Sequence, residues 1–372
     1  MEGSPERFGP YLVHEKIGTG GMATVHRAEL VAKDGSVTAI ALKRMLPRLA
    51  LKKELVASFV DETSLLRHLD HVNIAKTYDG GKITGTYFIA MEYVPGPTLK
   101  ELVEQCAATV HKLPSQITLN IALQICDALD HAHNCCDEQG ALLGIIHRDV
   151  SPANIILSKS GVVKLIDFGL AKTTSVSRPG TGEGAIKGKY NYVAPEYLAG
   201  TLDARADLWA LGVVMYELLT SRRLFDGHDN LETLTRVREL PIPRPSRANP
   251  RVPAALDDIV MRALERDPAR RWQSAAALRD ALRGVIAEPG STFDNRQVTN
   301  WVEWVFTQRT GGKEASAIED MFAVIKPATP PATTGVVAPS PAVEHSVPSS
   351  WVRWALVVVG IAAVIALIAS RV

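Results

Sequence analysis

His147-Arg148-Asp149-Val150-Ser151-Pro152-Ala153-Asn154, followed shortly by Asp167-Phe168-Gly169, is the stretch whose reading decides the fold. It sets an aspartate able to accept a proton, an amide able to hold a cation and a second cation-binding aspartate in fixed order. Phosphoryl transfer from a nucleoside triphosphate needs those three roles close together. Any one of these residues alone is more often a cap or a turn residue. The ordered set is not.

Upstream, Ile17-Gly18-Thr19-Gly20-Gly21-Met22-Ala23-Thr24-Val25 lies between two predicted strands. Glycines let a hairpin backbone approach phosphates and turn its N–H groups toward them. Such a hairpin alone is often just a turn. The spacing departs from G-x-G-x-x-G because Ala23 takes the third glycine position, where a methyl group is expected to narrow the loop. Ile40-Ala41-Leu42-Lys43 ends an apolar strand with a lysine, and a buried charge there requires a partner. Glu62, on the following predicted helix, has the helical phase to supply it. A lone Lys or Glu on such elements is usually solvated; their order behind a glycine loop favours a functional role.

Together these residues resemble a eukaryotic-like (Hanks-type) bacterial serine/threonine protein kinase, over Tyr11 to about Arg283. The likeness continues in Ala194-Pro195-Glu196, in Asp207-x-Trp209-x-x-Gly212 and in Arg271. It implies an α+β, two-lobed fold: an antiparallel-sheet small lobe with one helix, and a helical large lobe. It implies ATP and Mg²⁺ (or Mn²⁺) as cofactors, Asp149 as proton acceptor, a Lys43–Glu62 ion pair, and Asn154 and Asp167 as metal ligands. ATP would lie among Ile17, Gly18, Thr19, Gly20, Gly21, Met22, Ala23, Thr24, Val25, Ala41, Lys43, Met91, Glu92 and Val94. Met91 would be the gatekeeper, and Glu92, Tyr93 and Val94 the hinge that receives adenine. By the same resemblance Glu196 pairs with Arg271, and Asp207 braces the backbone of the catalytic loop. The implied reaction is phosphorylation of serine and threonine hydroxyls on proteins, including autophosphorylation of the activation loop, in bacterial signal transduction. Kinases of small molecules would not be expected to carry the Ala-Pro-Glu region, and no tyrosine-kinase-like Ala-Ala-Arg follows Asp149.

Two positions depart from the family pattern. Ser151 stands where such kinases have a lysine that contacts the γ-phosphate, and Lys189 stands where they have a threonine before Ala-Pro-Glu. These positions are neighbours in the fold, so Lys189 is a candidate to send its ammonium into the space the missing lysine leaves. The alternatives are a solvated Lys189 and a catalytically weak pseudokinase that serves as a membrane-anchored scaffold. A subset of bacterial kinases resembles this chain in the His-Arg-Asp-Val-Ser-Pro tract and in the long His133 to Gly144 connection. Arg148 beside the catalytic aspartate suggests an activation-loop phosphate as its partner, with Thr181 and Ser177 as favoured acceptors.

With 372 residues, 46% of them hydrophobic and 22% charged, the chain is long enough for more than one unit and for a proper core. A formal net charge of +1 gives no reason to expect a nucleic-acid partner. The four cysteines lack metal-ligand spacing and read as reduced thiols.

The expected organisation is an N-terminal tail (1–10), a small lobe (11–94), a large lobe (95–286), a helical extension (287–325), a Pro/Ala-rich linker (326–350) and a transmembrane anchor (351–372). Within the lobes, strands are predicted at Tyr11–Ile17, Val25–Leu30 and Val37–Met45, and from Ile83 to Val94 around Gly85. Helices are predicted at Leu55–Leu69, Ile117–His133, Leu208–Leu219 and through Val260–Ile286. Val298, Trp301, Val302, Val305 and Phe306 fall at helical spacing and predict a helix packed on the large lobe, with a membrane-surface helix as the alternative. Trp354 to Ser370 carries no charge, spans about 17 residues and is flanked by Arg353, Arg371 and tryptophans. With no secretory signal at the N-terminus, this predicts a single-pass protein of the bacterial cytoplasmic membrane with its catalytic domain in the cytoplasm. Only Arg371 and Val372 follow, so no sensor domain is expected beyond the span. Gly360 and Ala362 give two such helices a weak means of dimerising.

Overall fold

In the computed structural model, which describes residues 5–109, 113–169, 190–285 and 294–308, the small lobe is a six-stranded antiparallel sheet. Its strands are β1 (Glu6–Phe8), β2 (Tyr11–Thr19), β3 (Ala23–Val31), β4 (Val37–Met45), β5 (Thr77–Ile83) and β6 (Thr86–Glu92), in the order β1-β2-β3-β4-β6-β5. Alternation along β4 gives the sheet two apolar faces. Ile40 and Leu42 join Phe8, Tyr11, Val13 and Phe88 on one face. Ala41 and Met45 join Phe59, Ile89 and Met91 on the other, against helix α1 (Lys53–Leu66). Lys43 falls between Ala41 and Met45 in the alternation and so shares that second face.

Buried α1 residues Phe59, Glu62, Thr63 and Leu66 recur at three- and four-residue steps, the stripe of a helix packed on one side. Glu62 therefore enters the lobe as a carboxylate on an apolar stripe. The helix stops at Leu66, before the predicted end at Leu69, although Leu69 is itself buried.

Two other small-lobe expectations need correction. Residues Glu6–Phe8, assigned to a tail, form the edge strand β1: Phe8 packs edge-on against Phe88, and Glu6 Oε1 accepts from Arg44 Nη1 at 2.8 Å. Three residues are too few to show a period. Strand β5 starts at Thr77 rather than Ile83, because Asp79, Gly80 and Gly81 conceal it from apolar patterning.

The large lobe contains α2 (Leu99–Ala108), α3 (Ser115–His133), the short hairpin β7 (Ile155–Leu157) and β8 (Val163–Leu165), α4 (Arg205–Thr220), α5 (Asn230–Glu239), α6 (Pro245–Ala248), α7 (Ala254–Ala263) and α8 (Ala275–Val285). Helix α2 starts with a capping box, Thr98 and Glu101 satisfying each other's backbone N–H groups. Almost every α4 residue is buried, as expected of a central helix apolar all round. Helix α9 (Asn295–Thr307) buries Val298, Trp301, Val302 and Val305 in the large-lobe core, while Phe306 remains 45% exposed. Packing on the large lobe is thus the arrangement observed.

All four thiols are reduced, and burial pushes Cys106 up to about 12, far from nucleophilic use. Among the described residues no helix is long and apolar enough to cross a membrane. The linker 326–350 and the anchor 351–372 lie outside the described residues, as do Lys189, Ser177 and Thr181.

Candidate active site

The glycine-rich hairpin joins β2 to β3, with Gly18 paired to Val25 and Thr19 to Thr24. Its tip is closed by Gly20 N donating to Ala23 O at 2.8 Å. Ala23, at that tip, is only 3% exposed and is paired with Met45 of β4. Ile17, just before the hairpin, is 46% exposed, while Ala41, Met91 and Val94 are buried.

Lys43 is held in β4 between Val25 of β3 and Ile89 of β6. Its Nζ lies 3.5 Å from Glu62 Oε1 and 3.1 Å from Asp167 Oδ1. Burial alone would lower the lysine pKa. The Asp167 and Glu62 carboxylates more than offset that penalty and hold it above the ordinary lysine value. The cation thus joins α1 to the large lobe. A small cavity behind Met91 is lined by Lys43, Glu62, Leu66, Thr77 and Phe168.

The β7–β8 hairpin sets Asn154 opposite Ile166, the residue before Asp167. Ile155 pairs with Leu165, and Ile166 N donates to Asn154 O at 2.9 Å. The residues just outside the two strands are thereby neighbours. Asn154 Nδ2 donates to Asp149 O at 2.9 Å, which fixes the amide and puts its oxygen at the opposite end of the group. Ser151 begins the 3₁₀ turn Pro152–Asn154, and its carbonyl accepts from Asn154 N at 2.9 Å.

Arg148 and Asp167 hold left-handed backbone at φ 63° and 55°, unfavourable for side-chain-bearing residues. The surroundings impose it. Buried Asp207 accepts from His147 N and Arg148 N at 2.8 Å each, and His133 Nε2 lies 2.9 Å from the same carboxylate. Burial would raise the Asp207 carboxyl pKa, but hydrogen bonding and charge from His133 and His147 outweigh it and hold it below the usual range. His147 Nε2 lies 3.0 Å from Ile166 O, its carbonyl accepts from Gly169 N at 2.7 Å, and its ring lies 4.4 Å from that of Phe168. Asp149 N donates to His147 Nδ1 at 3.1 Å. Asp149 is therefore braced from α3, α4 and the Asp167 segment together.

Glu92 is in place at the end of β6, but its side chain is engaged away from the hinge. Its Oε2 accepts from Lys164 Nζ at 2.8 Å and from Lys76 N at 3.1 Å, and its own backbone N donates to Lys76 O at 2.8 Å. Lys159 N and Leu157 N donate to Pro95 O and Pro97 O, so β7 and its turn are stapled to the hinge. At Gly96, with φ +154°, any side chain would run into the Leu157 carbonyl. Ile156 lies on the face of β7 opposite buried Ile155 and Leu157 and is partly exposed, an apolar position that sequence reasoning missed. Three residues of Ile-Ile-Leu show no period from which that position could be read.

Farther out, Arg271 is wholly buried and forks Glu196 through two bonds of 2.6 Å, with its guanidinium 5.0 Å from the Trp209 ring centroid. The structure thus brings Lys43, Glu62, Asp167, Asn154 and Asp149 to one cleft. Lys189, Ser177 and Thr181 remain outside the described residues.

Comparison with known proteins follows the same lines. Residues 11–282 match the family described as "Protein kinase domain". The chain is 36% identical over 282 residues to a Myxococcus xanthus protein named tyrosine-protein kinase MasK, covering 76% of this chain and 44% of that one. It is 35% identical over 268 residues to the Bacillus subtilis serine/threonine-protein kinase PrkC, covering 72% of this chain and 39% of the relative. This chain therefore spans well under half the length of those curated relatives. The Mycobacterium tuberculosis PknI kinase domain superposes with a TM-score of 0.56 at 30% identity, covering 76% of this chain and 98% of that one.

Proposed function

Because the chain belongs to the protein kinase family and is of the bacterial eukaryotic-like type, we propose that it transfers the γ-phosphoryl group of ATP to serine and threonine hydroxyls of proteins. The observation that carries this reading is Lys43 bridging Glu62 and Asp167 at 3.5 and 3.1 Å. It is the arrangement needed to hold a triphosphate beside a cation site.

In this reading the exposed Ile17 and partly exposed Ile156 enclose the adenine, and the hinge after Met91 offers it backbone groups. Lys43 meets the phosphates. Asp149 orients the acceptor hydroxyl and takes its proton. Asp167 and Asn154 supply hard oxygen donors, a set that suits Mg²⁺ held with few protein ligands beside phosphates. When bound, that cation neutralises charge on the phosphates.

Lys189 is proposed as the cation that replaces the one missing at Ser151, and Arg148 as the partner of a phosphate on Thr181 or Ser177. Residues 351–372 are proposed as a single membrane anchor with the catalytic domain in the cytoplasm. The scaffold alternative draws its support from Ser151. MasK's name makes tyrosine the rival acceptor.

Phosphoamino-acid analysis after incubation with ATP and Mg²⁺ tests the acceptor class. Phosphoserine and phosphothreonine support the proposal, and phosphotyrosine alone overturns it. Near-normal turnover in both Lys189→Ala and Lys189→Thr would remove the compensating role. Recovery of the intact chain in the soluble fraction without detergent would remove the anchor.

A further inference from the structure

Helix α9 starts after residue 282, where the family match ends, yet Val298, Trp301 and Val305 are fully buried in the large-lobe core. Both of its ends make polar contacts with elements that border the cleft. At the N-terminal end, Asn295 Oδ1 accepts from Gln124 Nε2 at 3.3 Å and from Asn120 Nδ2 at 3.4 Å. Gln124, on α3, is the junction. Its Oε1 accepts from Asn73 Nδ2 at 2.8 Å and from Val163 N at 2.9 Å.

Asn73 lies between α1, which carries Glu62, and β5. It also donates through Nδ2 to Val163 O at 2.8 Å, and its carbonyl accepts from Leu165 N at 2.8 Å. Leu165 stands two residues before Asp167. One hydrogen-bonded chain thus runs from α9 to β8, two residues before Asp167, and to the loop between α1 and β5. At the C-terminal end, Gln105 Nε2 of α2 donates to Val305 O at 3.2 Å and to Gln308 O at 3.4 Å, and α2 follows directly on the hinge. The turn between β7 and β8 is shaped for this contact: at Gly161, with φ +76°, any side chain would run into the Asn295 carbonyl.

We propose that α9 is a built-in brace whose docked state keeps Glu62 and Asp167 in register with Lys43, so that turnover depends on a helix outside the kinase domain proper. Asn73, Gln124 and Asn295 are its positioning residues. Because the chain continues from Gln308, whatever acts on the following segment reaches the catalytic centre through α9. The inference rests on the catalytic reading above for its kinetic arm only. Coupling between α9 and the cleft elements is a physical property of the fold, and it is measurable whether or not the chain turns over ATP.

The test uses the full chain, with hydrogen exchange read by mass spectrometry beside steady-state phosphorylation. Val298→Asp/Val305→Asp buries two charges and should undock the helix. Exchange should then rise in residues 295–307 and also in 69–77 and 163–168, with kcat about tenfold lower and KM for protein substrate little changed. If that variant does not fold, Asn295→Ala decides: it removes the acceptor but keeps the apolar face. It should raise exchange in the same two cleft segments and lower kcat, and Asn295→Asp, which retains an acceptor oxygen, should restore both. In a cycle, Asn73→Ala and Asn295→Ala should be non-additive. The proposal is overturned if α9 exchanges freely while 69–77 and 163–168 stay protected, or if Asn295→Ala leaves both readouts at wild-type values. An inactive wild type would refute the catalytic reading, and the exchange arm would still decide the coupling.

Discussion

Lys43 Nζ meets Asp167 Oδ1 at 3.1 Å across 124 residues of chain, and this contact ties the sheet of the small lobe to the hairpin of the large one. Replacing Lys43 with Met should lower kcat by roughly 100-fold, the scale of removing one preorganised charge from a reacting centre. Glu62→Gln should cost less, because Asp167 still holds the ammonium. Steady-state kinetics with a melting curve for each variant checks both, since the melt separates lost chemistry from lost fold.

Asp207 works at one remove from the chemistry. Asn at this position would set an amide N–H₂ against one of the two backbone donors it now satisfies. Unfolding in urea should show a loss of about 1–3 kcal/mol, the cost of a buried polar group left unmatched. Turnover should fall with it, because the φ 63° of Arg148 loses its brace.

Arg271 and Glu196 form a buried fork, in which removing one partner strands the other charge. Arg271→Met should cost about 3–5 kcal/mol in chemical denaturation. Arg271→Lys keeps the charge but loses the planar fork and the stack on Trp209, and its stability should fall between that of Arg271→Met and that of the wild type.

The pH dependence of stability has a defined sign at His71, whose ring stacks on His131 with centroids 5.1 Å apart. Burial first, and then His131, hold His71 below the ordinary histidine value; Lys164 adds to this and Asp127 opposes it. A depressed histidine contributes stability fully above its unfolded value, near pH 6.5, and loses it as pH falls through the folded value. Melting temperature should therefore drop as pH falls below about 6.5. His71 Nδ1 accepts from Asn73 N at 3.2 Å, and His71→Asn, which keeps an acceptor there, should flatten that slope. An unchanged slope would count against it.

What the sequence discloses follows from how local the signal is. Val37–Met45 and Ile117–His133 are long, periodic elements, and their positions are legible with errors of at most two residues. Three-residue strands such as β1, β7 and β8 have no period to read, and β5 is concealed by its glycines. The cleft residues Lys43, Glu62, Asp149, Asn154 and Asp167 are legible in their order along the chain, and the family resemblance also gives the brace at Asp207 and the Glu196–Arg271 pair. Most of the partners that hold them are not. His133–Asp207, Lys164–Glu92 and Asn73–Gln124 join positions 74, 72 and 51 residues apart, each made of ordinary polar side chains whose meaning exists only once the chain is folded.

Phosphoryl transfer in this cleft, with Asp149 as proton acceptor as proposed, requires the Asp149 carboxylate for turnover but not for ATP binding. The most direct measurement is incorporation of labelled phosphate by the wild-type chain and by Asp149→Asn, each with Mg²⁺ and ATP, beside calorimetric titration of ATP into both. Label is expected on the wild type, with loss of it in Asp149→Asn and equal ATP affinity for the two. Equal labelling of both chains, or no labelling of a wild type that binds ATP and Mg²⁺ normally, would contradict it.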